Sequence, residues 1–268
     1  MTVLSGRHHH GGGPATGAPR RPRTAVRALA LALALTGSLA ATGCGVLEGD
    51  EPERYTRACG VVLDGSGSGA TTKTGFDARA KLKGSLERFL TGTGCGTLAF
   101  APITQVSQSS KCQANQLELD PDLPGSEDRE YFRGELRADA LKEAGKLLTC
   151  AQRQSPGSDV VGGLARIAMH RPDSGKGSFA VLVVSDFEQN DPEFSIGKKD
   201  LSTEGGRAKA IGELLAAHGS PPLAGMDIYP VGYGMKHRTK TSFYEQFDAF
   251  WTELLEGRLK ADVHTTYR

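Results

Sequence analysis

No two cysteines of this chain stand at C-x-x-C spacing, so a metal reading of its thiols is poor. The Gly-x-Ser-x-Gly of a nucleophile elbow is missing around Ser66 and Ser68, which lie on the glycine-rich stretch 65–69. That stretch also lacks the lysine that would follow it in a phosphate-binding P-loop, and nearby carboxylates would repel a phosphate unless a cation bridged them. An aspartyl phosphotransferase would want a second acid two residues after Asp64, where Ser66 stands. Charge of one sign is scarce too. Residues 1–43 carry five Arg and no acid, and without them 27 basic side chains face 31 acidic ones, a net of −4. A mildly acidic body has no general attraction to nucleic acid or anionic lipid.

The beginning of the chain reads as an address. Arg20, Arg21, Arg23 and Arg27 precede the apolar run 28–35, followed by small residues up to Gly43 and then Cys44. A basic region, a short apolar core and a small-residue cleavage point describe a secretory signal, and the apolar run is too short for a dedicated membrane span. Small residues before Cys44 also look like a bacterial lipobox, with Ala41 where Leu is most common. The expectation is a signal peptide over 1–43, a lipid on Cys44, a tether over 44–56, a folded domain over 57–260 and a tail over 261–268. Anchorage to the cell membrane on its outer side would then come from the lipid.

Two apolar runs carry the chemistry. Val61-Val62-Leu63 leads into Asp64-Gly65-Ser66-Gly67-Ser68, which offers one carboxylate and two hydroxyls at alternate positions on a glycine-rich turn. Hard oxygens of this kind suit Mg²⁺ or Mn²⁺. Phe179-Ala180-Val181-Leu182-Val183-Val184 ends in Ser185-Asp186, and an unalternating β-branched run reads as a strand covered on both faces. Between them the Pro/Gly loop Ser155–Ser158 and Asp159 feed a helix, so Ser158 is also a candidate helix cap.

These segments, in this order, resemble the von Willebrand factor A domain and its metal-ion-dependent adhesion site over about residues 57–258. The resemblance implies a metal held by Asp64, Ser66, Ser68, Ser158 in the place of a threonine, and Asp186. It also implies an open coordination position that an acidic side chain of a protein partner fills. Ser158 lacks the methyl that restricts χ1 in threonine, so that ligand is less preorganised. Gly69 stands where a larger residue is frequent, and Glu188 adds an acid that could tune the site.

Strands are expected at 60–64, 97–103, 116–119, 179–186 and 227–232, with helices near 76–91, 129–151, 159–170, 204–218 and 242–259. Right-handed crossovers give a doubly wound, mostly parallel α/β sheet in the order 3-2-1-4-5, strand three antiparallel at one edge and no clear sixth strand. Pro230 lacks a ladder donor and so places the last strand at the other edge. Residues 187–203 read as an exposed loop and a contact surface, and the aromatics 243–251 as core. Apart from Cys44, the cysteines form an even set, Cys59, Cys95, Cys112 and Cys150, suited to an oxidising compartment. If the first two strands are parallel neighbours, Cys59 and Cys95 come within bridging range and leave Cys112 with Cys150, although none of the three pairings is excluded.

The function expected is therefore non-enzymatic: cation-dependent protein binding at an anchored domain. Alternatives are a metal-independent structural envelope lipoprotein, and a serine hydrolase built on Ser66 or Ser68 with His170 or His218 as base. Both histidines fall at helix ends, where interaction with the helix dipole is the commoner role.

Overall fold

A computed structural model describes residues 53–69, 75–123, 128–172 and 179–267. The chain divides into two units, Met1–Glu48 and Gly49–Arg268. The first, with the expected signal segment 1–43 and Cys44, lies outside the described residues.

Six strands form one sheet: β1 (Arg57–Asp64), β2 (Cys95–Ile103), β3 (Leu117–Glu118), β4 (Phe179–Val184), β5 (Met226–Val231) and β6 (Asp262–Val263). Their order is β3-β2-β1-β4-β5-β6, all neighbours parallel except the β2–β3 pair at one edge. Val61, Val62 and Leu63, like every residue of β4, are buried, because helices cover both faces of a parallel sheet.

Helices α1 (Ala78–Thr93) and α2 (Arg129–Ala151) cover one face, setting Leu82, Leu86, Phe89, Leu147 and Leu148 against Val61, Leu63 and Leu182. Helices α3 (Val160–Ala168), α4 (Glu204–His218) and α5 (Thr241–Thr252) cover the other, with Leu164, Leu214 and Phe247 against Val62, Val181 and Val183. The last helix continues through a π-helical turn, Glu253–Arg258, so its span matches the sequence expectation. Each fully buried Leu or Phe contributes about 2 kcal/mol of transfer free energy.

Both disulfides join the pairs weighed above: Cys59 with Cys95 and Cys112 with Cys150, each with Cα atoms 5.7 Å apart. Three expectations need correction. A sixth strand exists: Asp262 and Val263 pair with Asp227 and Ile228, so the presumed tail extends the sheet. Its two residues are too few to show periodicity. Pro230 is consequently not on an edge strand, yet the physical reason for placing it there survives. Ile228 accepts from His264 N–H on the β6 side, and Pro230, two residues on, faces the same side beyond the end of β6, where no donor is required. Segment 187–203 is not a simple exposed loop. Phe187, Phe194, Ile196 and Leu201 are buried, while Asn190, Pro192, Glu193, Gly197, Lys198, Asp200, Ser202 and Thr203 are exposed.

Candidate metal centre

Asp64 closes β1 just past the last β1–β4 register pair, Leu63 with Val184, so Ser185 and Asp186 emerge beside it. Gly65 donates its N–H to the Ile103 carbonyl at 3.0 Å, and the chain turns through Gly67–Gly69. Position 65 must be glycine, because a Cβ there would lie 2.4 Å from the Cβ and 2.5 Å from the carbonyl carbon of Ala151, at the end of α2. Asp64 shapes the turn by accepting the Ser66 N–H at Oδ1, 2.8 Å. This brings the Ser66 and Ser68 hydroxyls 2.9 Å apart, and the Ser68 hydroxyl donates in turn to Asp186.

Ser158 approaches from the loop between α2 and α3. Its backbone exchanges two hydrogen bonds with Asn190, at 2.7 and 2.9 Å, and its Oγ stands 3.4 Å from Asp64 Oδ2. It does not cap α3. That role belongs to Asp159, whose side chain accepts the Gly162 N–H at 2.8 Å, leaving the Ser158 hydroxyl for the centre. All five oxygen-bearing side chains named from the sequence thus fall in one cluster: Asp64 touches Ser66 and Ser158, and the Ser66 hydroxyl leads on to the Ser68–Asp186 pair.

Ser185 was not anticipated. Its fully buried hydroxyl donates to Asp64 Oδ2 at 2.6 Å and accepts the Phe187 N–H at 2.9 Å. The signal was available, because two adjacent parallel strands ending together put Ser185 abreast of Asp64. Beyond it, Phe187 has φ 63°, a left-handed conformation costing a non-glycine residue about 1 kcal/mol. Its buried ring is gripped edge-on by Tyr233 at 5.1 Å and Trp251 at 5.3 Å. Trp251 of α5 therefore does more than fill the core: with Tyr233 from beyond β5 it holds the strained residue that follows Asp186.

Burial is the largest influence on both carboxylates. Asp64 is raised by desolvation, which hydrogen bonds from Ser185, Ser66 and Ser158 only partly offset. Asp186 is pushed up to about 7, first by burial and then by the charge of Asp64. Two buried acids that hinder one another's ionisation, ringed by three hydroxyls, fit a hard divalent cation, whose charge would relieve them. Glu188 does not join the set. Lys236 Nζ, at 3.0 Å, and His237 Nε2 hold its carboxylate, although its charge still adds to the rise of Asp186.

A second group of potential ligands, Asp159, Asp191 and His218, has one ligand atom from each within 4.8 Å of the others. Its carboxylates are already engaged. Asp159 accepts from Gly162 and from the Ser107 N–H at 2.9 Å, and Asp191 from Glu193, Phe194 and Gln189. His218 lies between them, Nδ1 3.4 Å from Asp159 and Nε2 3.2 Å from Asp191, a contact that lacks hydrogen-bond alignment. Its pKa is raised by Asp191 above all, against the pull of burial. This is an ion-paired latch, in place of the helix-end role expected for His218. His170 is exposed beyond the end of α3.

No protein-family model matches the chain, and no curated protein does. Among solved structures, a point mutant of the PilB minor pilin from Streptococcus sanguinis is similar at 12% identity and TM-score 0.41, covering 82% of this chain and 59% of that one. The human COPII-coat protein Sec24c is similar at 11% identity and TM-score 0.33, covering 79% and 29%. The chain thus spans less than two thirds of either neighbour, and neither likeness assigns a ligand or an activity.

Proposed function

We propose that the chain is an exported, lipid-anchored binding module of the von Willebrand factor A type, and not an enzyme. Asp64, Ser66, Ser68, Ser158 and Asp186 hold Mg²⁺ or Mn²⁺, and a protein partner contributes an acidic side chain to the ion in place of a water. The signal segment 1–43 and Cys44 supply export and anchorage on the outer side of the cell membrane. The observation that supports this reading most is the meeting of five oxygen-bearing side chains from three distant stretches of chain, three hydroxyls around two mutually hindered carboxylates.

One observation favours a metal-independent structural lipoprotein instead: Asp64 accepts hydrogen bonds from Ser66 and Ser185 and needs no ion to satisfy its oxygens. A serine hydrolase has no comparable support, since His218 is engaged by two carboxylates and His170 faces solvent.

Melting in chelator, then in Mg²⁺ or Mn²⁺, separates the readings. A ligand that binds only the folded state at a hundred times its Kd stabilises by about 2.7 kcal/mol. The wild type is expected to melt higher with the cation and to give a calorimetric binding signal. Asp64→Ala should fold and show neither. A folded wild type indifferent to both cations would favour the structural reading.

A further inference from the structure

The domain carries two adjoining cavities on the face of α1 and α2. One, of about 400 Å³, opens onto Ser66 and Gly67 of the metal loop and is bounded on its far side by Arg79 and Gln152. The other, of about 570 Å³, begins at Arg79 and runs along α2 between Lys142, Lys146 and Arg153. Arg79 lines both, so they form one groove leading away from the metal loop. No acid lines either cavity.

The cations of this groove are unevenly occupied. Lys142 and Lys146 each pair with an acid one turn earlier on α2, Asp139 and Glu143. Arg79 donates to Thr149 Oγ1 at 2.8 Å, and among the described residues neither Arg79 nor Arg153 has a carboxylate within ion-pairing distance. Both are exposed. The floor between them is kept low by Gly145, where a Cβ would meet only the Arg79 guanidinium at 3.6 Å. A glycine in the interior of a helix costs about 1 kcal/mol relative to alanine, and here it leaves a channel. From Leu141 to Cys150 the groove is about 14 Å long, at 1.5 Å per helical residue, enough for about four residues of extended peptide.

We infer that the partner segment is an extended acidic peptide: one carboxylate goes to the ion and further carboxylates pair with Arg79 and Arg153 along the α1–α2 groove. The inference rests on the proposed function for its first carboxylate and on the groove's own charge for the rest. Planar guanidinium groups suit carboxylates, and the mildly acidic character of the mature chain makes the two arginines that lack a carboxylate, Arg79 and Arg153, a local contrast that would steer an acidic segment to the site.

The test uses fluorescence anisotropy with a fluorescein-labelled peptide of alternating Glu and Leu, and a Lys–Leu control. With Mg²⁺ the wild type should bind the Glu peptide, lose it on chelation, and ignore the Lys peptide. Arg79→Gln combined with Arg153→Gln should weaken binding about tenfold, flatten its salt dependence and keep the Mg²⁺-induced rise in Tm. Affinity unchanged in the double variant, no binding by the wild type, or equal binding of the Lys peptide would overturn the groove. Failure of the cation reading would be seen separately: no Mg²⁺ shift in Tm, with peptide binding that survives chelation and still depends on the two arginines.

Discussion

Asp64 and Asp186 are each held above the ordinary carboxylate range, and the direction fixes how the protein without bound cation responds to pH. An acid whose folded pKa exceeds its unfolded value keeps its proton longer when folded. Stability is therefore lost as pH rises from the unfolded value of 3.8, for Asp186 up to about 7, with Asp64 acting in the same direction. Asp191 and Asp120, which are held low, act in the opposite sense and only at lower pH. In chelator, Tm should fall between pH 4.5 and 7.5, and the rise produced by Mg²⁺ should be larger at pH 8 than at pH 5. Asp186→Asn removes the like charge while its side-chain oxygen can still accept the Glu188 N–H. That variant should melt higher than wild type in chelator at pH 8, by on the order of 2 kcal/mol, and should not respond to Mg²⁺. Urea titrations at both pH values check this. Of these residues, Asp64, Ser66, Ser68, Ser158 and Asp186 were legible because each is an oxygen-bearing side chain just beyond an apolar run or at the mouth of a helix. Ser185 has no pattern of its own as a lone serine at the end of a buried run, and only the adjacency of β1 and β4 puts it abreast of Asp64.

At the scale of elements, the long periodic ones were readable and the short ones were not. α2 and α4 begin and end where their caps and spacing put them. β6 escaped because two residues form no pattern. Segment 187–203 was misjudged because Asn190-Asp191-Pro192 signals a turn while Phe194, Ile196 and Leu201 are too widely separated to read as core. This segment is pinned to the end of α4 by His218, which sits between Asp159 and Asp191. With its pKa raised in the fold, His218 contributes fully below its unfolded value of about 6.5, and the contribution disappears as pH climbs through the higher folded value. His218→Gln should therefore cost about 1 kcal/mol or more at pH 6 and little at pH 9, a difference measurable by chemical denaturation at the two pH values. An equal loss at both would mean the ring acts by packing alone.

For the molecule as a whole, strand order followed from handed crossovers and from two buried runs that had to be neighbours. The order up to β5 was therefore available before any coordinates. The cystine partners followed once β1 and β2 were adjacent. Each bridge closes a loop of similar size, with sequence separations of 36 and 38, which corresponds to roughly 4 kcal/mol of unfolded-state entropy apiece. Replacing Cys112 and Cys150 together by alanine should lower the free energy of unfolding by about that amount, read from urea melts, while Mg²⁺ still raises Tm. β1 has a further property. Upstream of it, Tyr55 donates its N–H to Asp120 and its ring lies 3.8 Å beneath the Arg133 guanidinium, while Asp64 stands at the strand's other end. A pull applied before residue 53 and resisted at Asp64 would travel lengthwise down this single central strand. It would load the β2 and β4 ladders in shear, where many rungs must yield together, with the Cys59–Cys95 bond as a rivet across one of them. Under the proposed anchorage and ligand binding, tension would thus meet the sheet along its most resistant axis.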